Sequence, residues 1–244
     1  MSVPKVTIST DRHVRGWESG VLEELMATPL SALGEELLTR LVAQGSRKRL
    51  QPGQQFQRRD ERVEHVAVVV SGFLRIYRLN PEGKIHVLRS IGAGQVFNLL
   101  PILDHGPAIS DADAVEVTEL LLIPKAPFLA LMNSEAALRD AVHRIIYARS
   151  RMTYDELADM VLLTLRQRCA RVLVSMAHMQ HAIGALPEGV SLVVTQTELS
   201  DILGYSRPKV NAELKALQRD GLIALSYNRI HIPDLAVLAA LAKS

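Results

Sequence analysis

Apolar positions along this chain follow two periods in succession, and the change of period marks its organisation. From Arg49 to Leu131 they gather in short runs, Val63 to Val70, Phe73 to Leu79, Ile85 to Ile91, Val115 to Val117 and Glu119 to Ile123. Such β-branched segments suit strands on a pleated, half-buried surface. Turn signals punctuate them at Pro52-Gly53, Ser71-Gly72, Asn80-Pro81-Glu82-Gly83, Gly92-Ala93-Gly94 and Asp104-His105-Gly106-Pro107. Strands repeated at this interval predict a small all-β barrel or jelly-roll. Ahead of it, Trp17 to Met26 and Leu33 to Ala43 read as helices.

From Ser134 the period becomes helical. Leu138, Val142, Ile145, Met152, Leu157 and Met160 keep roughly one face for about 25 residues without proline or glycine, and the helix should end near Thr164. A helix that long needs a partner: either it covers the barrel, or it pairs with the same helix of a second subunit, the reading its seam favours. Gln167 to Met179 reads as a further helix, and His178 to Ser191, with Gly184, Pro187 and Gly189, as a loop.

The most informative stretch is TQTELSDILGYSRPKVNAELKALQRDGLI, Thr195 to Ile223. Thr195 and Glu198 have capping-box spacing, and Leu199, Ile202 and Leu203 form an apolar stripe. Gly204 can close that helix in the left-handed conformation. Ser206 is the next N-cap, Pro208 sits in a first turn where a missing N–H costs little, and Val210, Leu214 and Leu217 give a second helix its buried stripe. Its other face carries Arg207, Lys209, Asn211 and Lys215, side chains able to reach base edges or phosphates in a major groove. Leu222 to Leu225 and Arg229 to Ile232 then read as two strands joined around Tyr227-Asn228. Helix, turn, helix and hairpin describe a winged DNA-binding module.

Composition narrows the picture. At 244 residues the chain is long enough for two domains. It contains no apolar run near the ~20 residues needed to cross a bilayer and no leader pattern at its N-terminus, so a cytoplasmic protein without membrane association is expected. The single cysteine, Cys169, excludes an internal disulfide framework and a multi-cysteine metal or iron–sulfur site, and is read as a small apolar packing residue. The net charge of +2 is small, but after Leu165 nine basic residues face six acidic ones, so the basic excess accompanies the helix-turn-helix.

From about Leu33 to Pro233 the chain resembles the superfamily of bacterial transcription regulators that contains the cyclic-AMP receptor protein and the oxygen sensor FNR (CRP/FNR). The likeness rests on LSDILGYSRPKVNAELKALQRDGLI, with its Gly-x-Ser-Arg and closing Gly-Leu-Ile, and on Pro52-Gly53, Ser71-Gly72, Gly83 and Gly94-Gln95-Val96-Phe97 in the barrel. It implies an α+β protein: an N-terminal double-stranded β-helix (jelly-roll) sensor domain with N-terminal helices over 1–132, a long dimerisation helix over 133–165, and a winged helix-turn-helix DNA-binding domain over 166–244. It further implies a homodimer on a roughly palindromic double-stranded DNA site, with RNA polymerase as a partner. Arg207 matches the family's base-reading arginine, while Pro208 and Ala212 replace a glutamate and a second arginine. Lys209, Asn211 and Lys215 are then candidates for the remaining DNA contacts, and Thr195, Gln196 and Ser206 for phosphates.

The sensing chemistry departs from the family. Cyclic-nucleotide-binding members use Phe-Gly-Glu-Leu and an Arg-Ser pair. Here those positions hold Phe97-Asn98-Leu99-Leu100 and Ala108-Ile109. A buried phosphate without its arginine leaves a charge uncompensated, so cyclic AMP is not expected in the familiar mode. Iron–sulfur sensing lacks its cysteines. Haem stays open through His13, His65, His86 or His105, and an apolar effector pocket near Leu99, Leu100, Ile102, Met152, Thr153 and Tyr154 is a candidate. Two rivals are a cupin-like metal-dependent enzyme and a ligand-binding module whose winged domain contacts protein. The first lacks His-x-His or His-x-x-x-His pairs in the barrel, and no catalytic or metal site is expected.

Overall fold

The computed structural model describes residues 16–180 and 189–242. Its contacts divide the chain into two compact units. One holds the residues up to Leu74 with Ile91–Ile109 and Asp113–His143; the other holds Arg75–Ser90, Ser110–Ala112 and the chain from Arg144 onward.

In the first unit, helices α1 (Glu18–Met26) and α2 (Glu35–Ala43) flank a 3₁₀ turn at Pro29–Leu33. Proline in its first turn, and Thr28 accepting from the Leu30 N–H, start that turn. A four-stranded antiparallel sheet follows, in the order β1 (Ser46–Leu50), β8 (Thr118–Pro124), β3 (His65–Ser71), β6 (Val96–Phe97). Val66 to Val70 are all buried because helices, α1 among them, pack against β3 in addition to its two strand neighbours, so both faces are covered and the run is continuously apolar. Another sheet has the order β2 (Gln55–Gln57), β7 (Asp111–Ala114), β4 (Leu74–Leu79), β5 (Ile85–Ile91). The short helix α3 (Leu99–Leu103) follows β6. At Gly94, φ is +75° and a Cβ would stand 2.5 Å from Thr28, so only glycine fits that turn. The two-sheet architecture is the expected jelly-roll.

Several elements differ from expectation. Val115–Val117 is a bend, not a strand, with Val115 and Val117 exposed; the strand is the preceding Asp-Ala-Asp-Ala of β7. Polar Ser46–Leu50 pairs along its whole length with β8, so backbone pairing overrides its charged composition. Lys125–Ser134 forms a separate helix, α4, before α5 (Ala136–Leu162).

α5 runs from the first unit into the second. Of its predicted stripe, Leu138 and Val142 are buried, whereas Met152, Leu157 and Met160 are exposed, as are Tyr147, Tyr154, Val161 and Leu162. Its end matches the expected stop, for Thr164 and Gln167 cap the next helix, α6 (Leu165–Gln180), by reciprocal side-chain-to-backbone bonds of 2.8 and 3.3 Å. The predicted loop from His178 to Ser191 is replaced at both ends: His178 belongs to α6 and Val190–Ser191 to strand β9 (Val190–Val193), while 181–188 lie outside the described residues.

Candidate nucleic-acid interface

Within the second unit, α7 (Gln196–Leu203) and α8 (Arg207–Arg219) form the predicted helix-turn-helix. The capping box is complete: the Glu198 N–H donates to Thr195 Oγ1 at 3.1 Å, and the Thr195 N–H donates to the Glu198 carboxylate at 2.6 Å. Gly204 closes α7 at φ +75°, and its N–H donates to the Ser200 carbonyl at 2.9 Å. Ser206 starts α8 in extended conformation without a side-chain cap bond.

Leu199, Leu203, Val210, Leu214 and Leu217 are buried with Cys169, Ala170 and Leu173 of α6 in one apolar core. Burial, with Glu213 adding to it, pushes the Cys169 thiol up to about 12, although Arg168 opposes the shift. That agrees with a packing role. Strands β10 (Ala224–Ser226) and β11 (Arg229–Ile232) form the wing, and β11 also pairs with β9 through Ile230–Leu192 and Ile232–Val190. The terminal helix α9 (Leu235–Leu241) starts at Asp234, whose carboxylate accepts from the Ala236 and Val237 N–H groups.

Since Val210, Leu214 and Leu217 face the core, the opposite face of α8 is presented outward. Arg207, Lys209, Ala212 and Lys215 are exposed there, and Asn211 is half-buried. The first turn of α8 contains no acidic residue. Two cations at the positive end of a helix macrodipole oppose helix stability, and the same field with free N–H groups attracts anions. Gln196, at the start of α7, donates its side-chain amide to Asn211 Oδ1 at 3.2 Å. Sequence reasoning missed Tyr205: the Arg168 guanidinium and Lys209 ammonium lie 5.3 and 6.0 Å from its ring centroid, and Arg168 also donates to the Leu203 carbonyl at 3.1 Å. Its only sequence signal was an aromatic inside the turn. Tyr227, 91% exposed, and Asn228, at φ +52°, form the wing tip. Arg166 pairs with Asp220 and ties α6 to the end of α8.

The predicted effector residues have dissimilar surroundings. Leu99 and Ile102 are buried, whereas Leu100, Met152, Thr153 and Tyr154 are exposed. The Thr153 hydroxyl donates back to the Arg149 carbonyl at 3.0 Å. Asn98 is buried in the left-handed conformation, and its amide exchanges hydrogen bonds of 3.1 and 2.7 Å with that of Gln57. Ala108 is buried and Ile109 exposed. Of the histidines, His65 and His105 are exposed, His86 Nδ1 lies 3.1 Å from the Asp201 carbonyl, and His13 falls outside the described residues. Among the described residues no group of three or more His, Cys, Asp or Glu side chains is placed to hold a metal, and no helix is long and apolar enough to cross a membrane.

Comparison with known proteins agrees with this architecture. Residues 47–135 match the model of the cyclic nucleotide-binding domain, and 167–241 that of the Crp-like helix-turn-helix domain. The chain is 26% identical over 183 residues to the CRP-like cAMP-activated global transcriptional regulator of Mycobacterium tuberculosis, covering 74% of this chain and 80% of that one. It is 27% identical over 175 residues to the cyclic AMP receptor protein of Thermus thermophilus, covering 72% and 78%. The same fold occurs in FixK2 from Bradyrhizobium japonicum, at TM-score 0.69 and 20% identity over 81% of this chain and 96% of that one. It recurs in a CRP/FNR-family transcriptional regulator from Thermus thermophilus, at TM-score 0.65 and 22% identity over 82% and 99%. With a cyclic nucleotide-binding-like roll followed by a Crp-like helix-turn-helix, the chain belongs to the CRP/FNR superfamily of DNA-binding transcription regulators.

Proposed function

We propose that this chain works as a cytoplasmic, sequence-specific DNA-binding regulator, homodimeric through α5, whose signal at the roll is not cyclic AMP in the familiar mode. The observation that carries the DNA reading is α8: a stripe of Val210, Leu214 and Leu217 that is wholly buried, backed by an outward face with Arg207, Lys209 and Lys215 at or beyond an acid-free positive helix end. Arg207 is the base reader, bonding guanine O6 and N7 through its guanidinium fork, and Thr195 and Ser206 lie on the phosphate side. Two copies of α8 then enter successive major grooves about 34 Å apart, which calls for a roughly palindromic site.

Dimerisation is supported by Tyr147, Met152, Tyr154, Leu157, Met160, Val161 and Leu162, apolar side chains left exposed along one helix of the single chain. RNA polymerase is the further partner a regulator of this class engages. Against cyclic AMP stand the two replaced anchors: buried Leu99 stands at the position of the glutamate, and Ala108 offers no charge to a phosphate.

Selection of duplexes by the purified protein tests this reading. Wild type is expected to enrich a two-fold site as a dimer by light scattering, and Arg207→Ala to keep its fold and dimer while losing preference for guanine. Titration calorimetry with cyclic AMP is expected to show no heat of specific binding. Enrichment of no sequence at all would overturn the DNA reading, and stoichiometric cyclic-AMP binding would overturn the sensing one.

A further inference from the structure

Within the recognition surface one hydrogen bond constrains what a base contact can be. Gln196 opens α7 and Asn211 lies in the second turn of α8, and Gln196 Nε2 donates to Asn211 Oδ1 at 3.2 Å with both side chains half-buried. An untethered asparagine offers a carbonyl and an NH₂ in one plane, the arrangement that pairs with adenine N6 and N7 together. Here Gln196 holds the carbonyl on its own side, so the NH₂ is the group turned away from α7. Arg207, four residues earlier and hence on the same helix face, has donors only.

We propose that Gln196 is a positioning residue that makes Asn211 a donor-only reader, selecting a base that presents a major-groove acceptor (guanine O6 or N7, thymine O4, adenine N7) and rejecting cytosine at one position of each half-site. The proposal rests on the DNA-reading function above. It assigns Gln196 to specificity, in place of the phosphate contact its position at a helix start suggests. The two roles separate cleanly. A phosphate contact is blind to sequence, so its loss weakens all sites alike, whereas loss of an orienting bond alters one position.

The decisive variant is Gln196→Glu. A carboxylate accepts and cannot donate, so the introduced side chain forces the Asn211 amide to turn over, giving its NH₂ to the new carboxylate and its carbonyl to the groove. An acid in the first turn also suits the helix dipole, so α7 should remain folded; circular dichroism and the melting temperature check this. Binding sites are selected from randomised duplexes at fixed salt with wild type, Asn211→Ala, Gln196→Ala and Gln196→Glu. Wild type should disfavour cytosine at one position per half-site, and Asn211→Ala should lose preference there alone. Gln196→Ala should blur that position, and Gln196→Glu should admit cytosine there and disfavour guanine and thymine, by roughly 10-fold or more as expected for a change of one base-edge contact. If Gln196→Glu weakens all sites uniformly and leaves every preference in place, Gln196 holds a phosphate and the proposal is overturned. If Asn211→Ala changes no position, it is equally overturned. If wild type enriches no sequence, the DNA-reading function itself fails.

Discussion

In the helix-turn-helix, polar side chains stand outward on a buried apolar stripe, whereas in the roll the polar side chains next to Phe97 in sequence and space close on each other. Asn98 and Gln57 satisfy one another's amides at 2.7 and 3.1 Å in a buried place. Buried polar groups that are paired with each other help hold a core together. Arg207, Lys209 and Lys215 do the reverse: they are kept in water, two of them next to a helix end whose field they oppose, which costs stability and retains recognition capacity. One region presents its polar side chains to solvent, the surface that the proposed function uses for reading. The other has closed its polar pair into structure.

The largest effect should come from the support beneath the reading face. Leu214→Ala empties a site with no solvent exposure and should lower unfolding stability by about 2–5 kcal/mol, measured by denaturant titration. Its exposed neighbour sharpens the contrast: Lys215→Ala should change stability by less than about 0.5 kcal/mol, yet lower the salt dependence of DNA binding by about one unit of log–log slope per site. A roll whose polar pair is structural predicts that Asn98→Ala, which orphans buried Gln57 and puts alanine at φ +69°, costs about 1–3 kcal/mol in thermal or chemical unfolding. Were the pair a ligand site, the variant would leave apo stability unchanged, and the contrast with α8 would collapse.

Smaller effects follow at the edges. Thr195→Ala removes the cap acceptor for the Glu198 N–H and should cost about 1 kcal/mol, seen as a lower melting temperature with unchanged sequence preference. Cys169 should be inert in the native protein to a thiol-exchange reagent at pH ~8 and react once denaturant is added. Because its folded value near 12 lies above the unfolded value of about 8.5, the stability it contributes is complete below pH ~8.5 and is lost as pH rises toward 12. Native reactivity at the unfolded rate would show that α6 is not packed as described.

Much of the helix-turn-helix was readable because its signals are local: Thr195 with Glu198, Gly204, and Pro208 in a first turn each act through atoms within four residues. The roll was readable as a rhythm and less so strand by strand. β7, Asp-Ala-Asp-Ala, is buried along its length although its composition suggests a turn, and β1, Ser-Arg-Lys-Arg-Leu, forms an edge strand without alternation. Val115 and Val117 carry strand propensity and sit in a bend. For β1 and β7, pairing to a distant strand outweighed the residues' own preference.

By itself the sequence determined the order of the two domains, the starts and stops of α7 and α8 and which α8 residues face outward, the last two because they follow from caps and periodicity over a few bonds. Only the tertiary structure decided which polar side chains are committed to each other. Asn98 meets Gln57 across 41 residues and Gln196 meets Asn211 across 15, and a hydrogen bond depends on distances that the folded backbone sets and no local pattern encodes.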